Sequence, residues 1–150
     1  MLARWGGYEL DDDPGRVDRD ALWSFLSGEA YWGRWRNRDD VEHQLATAWR
    51  VVGVYEQATG RMVGFARAIS DGAAFAYLAD VYVVADARGR GLGRRLVQAM
   101  VDDGPGARFR WALHTADAHG LYAGFGFARP DETYLERPGA ERPGRSAPAS

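Results

Sequence analysis

Apolar residues recur at helical spacing near the start of the chain and at strand spacing in its middle. Leu22, Phe25 and Leu26 share one helical face behind Asp18, whose carboxylate can cap the free N–H groups of a first turn, and Gly28 supplies a stop. Asp39 and Glu42 resemble a capping box for a second short helix with Val41 and Leu45 inside. Between the two helices Tyr31-Trp32-Gly33-Arg34-Trp35-Arg36 is aromatic and basic without any period. Residues 50–55 and 62–69 are β-rich runs separated by Gln57-Ala58-Thr59-Gly60, a loop of hairpin length ending in the glycine a left-handed position needs. Ser70-Asp71-Gly72 turns the chain into a third run, 74–84, and the economical reading is an antiparallel meander.

Further on, Leu92, Leu96, Val97 and Met100 form an amphipathic stripe that stops at Asp103-Gly104-Pro105-Gly106. Residues 109–114 read as a strand, 117–125 as a short helix and 133–137 as a last strand. From Pro138 the chain is Pro, Gly, Ala, Ser and charge, so the expected organisation is one domain over 1–137 and a disordered tail over 138–150. No segment repeats another.

Composition narrows the chemistry. At 150 residues the chain has the length of one domain that buries roughly two-thirds of its unfolded surface. Formal charge is −2, which gives no ground for capture of nucleic acid or of an anionic membrane. All 19 basic residues are arginine, and the absence of lysine excludes a Walker A loop and any Schiff-base mechanism. The absence of cysteine excludes disulfides, thiol nucleophiles and Cys-based zinc sites, and no metal is expected. No apolar run approaches the ~18 residues of a spanning helix, and the opening residues carry no secretory h-region, so a cytoplasmic location is expected.

Arg88-Gly89-Arg90-Gly91-Leu92-Gly93 joins the third β-run to the amphipathic helix. Its glycines let the backbone approach a ligand, and a helix start points free N–H groups outward, so the turn suits an anion. Arg88, Arg90, Arg94 and Arg95 cluster where the helix macrodipole is already positive, an arrangement that a bound polyphosphate would compensate. A dinucleotide fingerprint does not fit, because the sixth position from Gly89 is Arg94 where a glycine belongs. The bland alternative is a tight turn with solvated arginines.

Leu78-Ala79-Asp80-Val81-Tyr82-Val83 followed by Arg88 to Gly93 resembles the acetyl-CoA-binding motif of the GNAT superfamily of N-acetyltransferases. Ala118-His119-Gly120-Leu121-Tyr122-Ala123-Gly124-Phe125-Gly126-Phe127 resembles that superfamily's second signature. The resemblance implies a mixed α/β domain with a mostly antiparallel sheet of six or seven strands flanked by about four helices. It also implies acetyl-CoA as cosubstrate. The backbone of Val81, Tyr82 and Val83 would meet the pantetheine arm and polarise the thioester carbonyl, and the amides of Arg88, Gly89, Arg90, Gly91, Leu92 and Gly93, with Arg94, would hold the pyrophosphate. Tyr122 matches the family's general acid for the departing thiolate; its alternative is an ordinary core tyrosine. The family often places Asn seven residues earlier, where this chain has Thr115, whose hydroxyl could reach the coenzyme through water or cap the helix instead.

The acceptor half is less constrained. A primary amine arrives mostly protonated and something must take its proton. Asp80, a carboxylate in an otherwise apolar strand, is one candidate, with pairing to an arginine as its alternative. His114, at a strand end, is the other. Tyr31, Trp32 and Tyr77 are candidates for lining an acceptor pocket; Trp23 reads better as packing. The expected activity is acetyl transfer to the amine of a small molecule or peptide by direct attack in a ternary complex, with no nucleic-acid or membrane partner, in a monomer or homodimer. A non-catalytic acyl-CoA sensor is the alternative.

Overall fold

The structure is a computed structural model, and residues 1–30 and 36–139 are described. Tyr31 and Trp32, and residues 140–150 of the expected tail, lie outside the described residues.

Six strands form one sheet in the order of the chain: β1 (Ala3–Trp5), β2 (Tyr8–Asp11), β3 (Arg50–Glu56), β4 (Met62–Ser70), β5 (Phe75–Val83) and β6 (Arg110–Ala112). The meander β3-β4-β5 is antiparallel, as its turn residues require. The hairpin β1-β2, which hydropathy did not reveal, turns on Gly6 and Gly7, both at positive φ as a tight hairpin turn demands. Only β5 and β6 are parallel, because the helix α3 (Leu92–Met100) crosses over between them.

The helices α1 (Arg19–Gly28) and α2 (Arg38–Thr47) cover the opposite face from α3 and the short α4 (His119–Ala123). Asp18 caps α1 by accepting the Ala21 N–H at 3.0 Å. The capping box of α2 is Asn37 with Asp40, rather than Asp39 with Glu42. Glu42 instead faces outward and pairs with Arg19 and Arg38. Leu92, Leu96, Val97 and Met100 are all buried, so the α3 stripe packs as its spacing dictates, each side chain contributing about 1.5–3 kcal/mol of apolar burial. Arg50 pins the far end of α3, donating from Nη1 to the carbonyls of Ala99 and Met100 at 2.8 and 3.1 Å.

Two cores lie on the two sides of the sheet. Leu78 belongs to the core under α3, whereas Tyr82, four residues along the same strand, belongs to the core under α1 and stacks on Phe25 at 3.8 Å. A regular strand would put both on one side. The switch comes from a bulge: Asp80 and Val81 together oppose the single Ala66, and Asp80 has φ +56°, the one non-glycine positive φ among the described residues. Aspartate tolerates that conformation better than a β-branched residue would.

The expected last strand, 133–137, is not formed. Residues 128–139 contain no strand or helix. Asp131 takes the N–H of Thr133 on its side chain and the N–H of Tyr134 on its carbonyl, so two amides that a ladder would use are spent in a local turn.

Candidate active site

The β5-β6 ladder lasts for three pairs, Phe75–Arg110 to Tyr77–Ala112, and β5 then runs on to Val83 with no strand on that edge among the described residues. The sheet forks at this point. Beyond the fork lies the glycine turn, with Gly89 at φ +80° and Gly91 at φ +77°; both need glycine. Gly91 is the N-cap of α3, and no side chain caps that helix. The first helical bond is donated by Arg95 to the Gly91 carbonyl, so the amides of Leu92, Gly93 and Arg94 have no partner inside the helix. A Cβ added at Gly89, Gly91 or Gly93 would meet nothing within 4 Å, so open space lies beside the turn at all three glycines. The helix start carries Arg94 and Arg95 and no acid, and a pyrophosphate fits such a cradle.

The arginines are not all aimed at that space. Arg88 donates from Nε to the Val83 carbonyl at 2.8 Å, bracing the turn against the end of β5. Arg94 lies over the Phe125 ring, and Arg95 over the ring of Trp5 at 3.7 Å. Trp5 also donates from Nε1 to the Arg90 carbonyl at 3.3 Å, so the N-terminal hairpin braces the turn. Nothing in the sequence pattern marked Trp5 for this. Val81 and Val83 pack on the α3 side of β5 and Tyr82 on the other.

Tyr122 is buried on α4, with its ring edge-on to Phe127. Burial, aided by the charge of Asp117, pushes its hydroxyl up to about 12, so it holds its proton firmly at neutral pH. Thr115 accepts the Ala118 N–H on Oγ1 at 3.0 Å, which closes the turn leading into α4; the N-cap of α4 is Ala118, not Thr115. Tyr122, Thr115 and His114 line one cleft of about 910 Å³ between β6 and the irregular segment after α4.

Asp80 does not face an open cavity. Its carboxylate is buried between two guanidiniums: Arg36 holds it bidentately at 2.9 and 2.8 Å, and Arg67 donates from Nε at 3.0 Å. Burial alone would raise its pKa, but the bonds and charges of Arg36 and Arg67 outweigh it and hold the carboxyl below the usual range. A carboxylate held in this way is a poor proton acceptor. His114 is different: its Nδ1 pairs with the Tyr77 hydroxyl, its Nε2 lies 2.7 Å from Glu136, and more than half of its side chain is exposed. Tyr77 is half-buried and feels Glu136, Tyr134, Arg67 and Asp80, so the two polar clusters are electrostatic neighbours.

Among the described residues no three metal-ligating side chains converge, and no helix is long and apolar enough to cross a membrane. A sequence model of the acetyltransferase (GNAT) domain matches residues 48–129, the stretch that holds the fork, the glycine turn and Tyr122. The chain belongs to the GNAT acetyltransferase family. A crystal structure of a candidate GNAT acetyltransferase from Xanthomonas campestris is 34% identical, with a TM-score of 0.80 over 87% of this chain and 92% of that one. N-acetylglutamate synthase from Neisseria gonorrhoeae, solved with coenzyme A and N-acetyl-glutamate, shares the fold at a TM-score of 0.65 and 20% identity, covering 89% of this chain and 31% of that one. A candidate acetyltransferase of Gibberella zeae is 33% identical over 86 residues; the match spans 57% of this chain and 46% of that relative. The mixed sheet of six strands with four α-helices among the described residues is the architecture the resemblance implied.

Proposed function

We propose that the chain transfers an acetyl group from acetyl-CoA to an amine of a small molecule or peptide, by direct attack with both substrates bound. The observation that carries this reading is the uncapped N-terminus of α3 behind two left-handed glycines at the mouth of the sheet fork. The coenzyme, when bound, supplies the activated acetyl thioester. The chain's own residues hold and orient it: the amides from Arg88 to Gly93, with Arg94 beside them, take the pyrophosphate, and the unpaired edge of β5 around Val81, Tyr82 and Val83 offers backbone groups to the pantetheine arm and an N–H to the carbonyl. Holding two reactants in the fork supplies most of the rate.

Tyr122 stays protonated at neutral pH and shares that proton with the departing sulfur through a hydrogen bond as charge develops there. On the acceptor side His114, with Tyr77 beside it, takes the amine's proton in preference to Asp80, whose charge is already committed to Arg36 and Arg67. Asp80 then fixes the bulge that opens the fork.

The test is Tyr122→Phe. Turnover, read as thiol release across a panel of amines, is expected to fall roughly 10- to 1000-fold with the coenzyme's dissociation constant unchanged. Unchanged turnover would remove Tyr122 from the mechanism, and a wild-type protein that binds the coenzyme but frees no thiol with any amine of the panel would leave binding without transfer.

A further inference from the structure

Glu136 lies beyond the stretch that matches the GNAT domain, on a segment with no regular structure, yet its side chain returns to the fork. Its Oε2 sits 2.7 Å from His114 Nε2 and accepts the Tyr134 hydroxyl at 3.3 Å. The other ring nitrogen of His114 meets the Tyr77 hydroxyl, at the last pair of the β5-β6 ladder. A carboxylate on Nε2 fixes the proton there and leaves Nδ1 bare as an acceptor, the same logic by which a buried aspartate orients a catalytic histidine.

We propose that Glu136 is a positioning residue for proton removal from the acceptor: it sets the His114 tautomer so that Tyr77 and His114 together carry the amine's proton away. This rests on the transfer reading above and adds to it a group supplied by this chain's own C-terminal segment. The acceptor ammonium gives its proton to the Tyr77 oxygen as the tyrosine's own proton passes to His114 Nδ1. Nε2 keeps its proton on Glu136 throughout. The imidazolium is balanced by that carboxylate, and the exposed ring returns its extra proton to water, leaving tyrosine and imidazole as they began. Burial, with the charge of Glu136, raises the Tyr77 pKa, so the phenol does not hold a negative charge alone and needs the imidazole as an outlet. The charged and titratable groups around the pair are Glu136, Tyr134, Arg67 and Asp80 about Tyr77, with Asp102, Arg110, His119, Tyr122, Arg129 and Asp131 lining the cleft that His114 shares.

The experiment compares Glu136→Gln, Glu136→Asp and Glu136→Ala with the wild type. In Glu136→Gln kcat is expected to fall at least about 10-fold at unchanged KM for the coenzyme. Glu136→Asp recovers part of the loss. Nitrogen-15 spectra of the imidazole, which need no turnover, are expected to show His114 protonated on Nε2 in the wild type and a mixture of tautomers in Glu136→Ala. A Glu136→Gln protein with the wild-type kcat, or a wild-type His114 protonated on Nδ1, overturns the proposal. A wild-type protein inert toward every amine instead sinks the transfer reading, and the tautomer still decides whether Glu136 sets His114.

Discussion

The two ends of the fork are built in opposite ways. The end proposed for the coenzyme is mostly backbone: two glycines at positive φ and, among the described residues, a helix start without a side-chain cap and a strand edge without a neighbour, all within residues 75–95. The acceptor end is almost wholly side chain, and its members are distant in sequence: Asp80 meets Arg36 across 44 positions, and His114 meets Tyr77 across 37 and Glu136 across 22. A site made of backbone tolerates change in most side chains so long as the dihedral angles survive. A site made of crossed ion pairs and hydrogen bonds does not.

Three substitutions set these ends against each other. Asp80→Asn leaves Arg36 and Arg67 buried without their counter-charge and should cost about 3–5 kcal/mol of folding stability, read by denaturant unfolding. The same ion cluster fixes a pH dependence: because the folded carboxyl has a pKa below its unfolded value, its contribution is fully present above about pH 4 and is lost as pH falls through the folded pKa. If Asp80→Asn loses no stability at neutral pH, the cluster is not what holds the bulge. Gly91→Ala puts a Cβ on a left-handed residue at roughly 1–2 kcal/mol of strain, expected as a 5- to 30-fold weaker coenzyme affinity by titration calorimetry. An unchanged affinity would mean that the turn does not cradle the pyrophosphate. Smallest is Thr115→Ala, which removes the side-chain bond closing the turn that leads into α4 for about 1 kcal/mol while the coenzyme's dissociation constant stays within about twofold. A much larger loss of affinity would show that Thr115 touches the coenzyme.

The same contrast explains what the sequence discloses. Glycine spacing and an amphipathic stripe are local, so the turn, α3 and the β3-β4-β5 meander could be read from residues that lie close together along the chain. The Asp80 pairing was one of two readings open to a charged residue in an apolar strand, and only the position of Arg36 and Arg67 decides between them. Glu136 carried no signal, because it falls in the run 133–137 that reads as a last strand, and its role depends on that strand not forming. The hairpin β1-β2 was missed for a different reason: its strands are three and four residues long, and the first is exposed throughout. Asn37 lost to Asp39 in the reading of α2 because several residue types cap a helix equally well, and position alone separates them.

The single extra residue at Asp80 works on the sheet as a frameshift works on a message. Before it, even-numbered positions of β5 such as Leu78 look toward α3; after it, Tyr82 looks the other way and the odd-numbered valines take over that side. One continuous strand thus presents two separate alphabets of side chains, so that residues on one side of the bulge can drift without rewriting those on the other. Removing one residue there would keep nearly every letter and invert the meaning of all that follow.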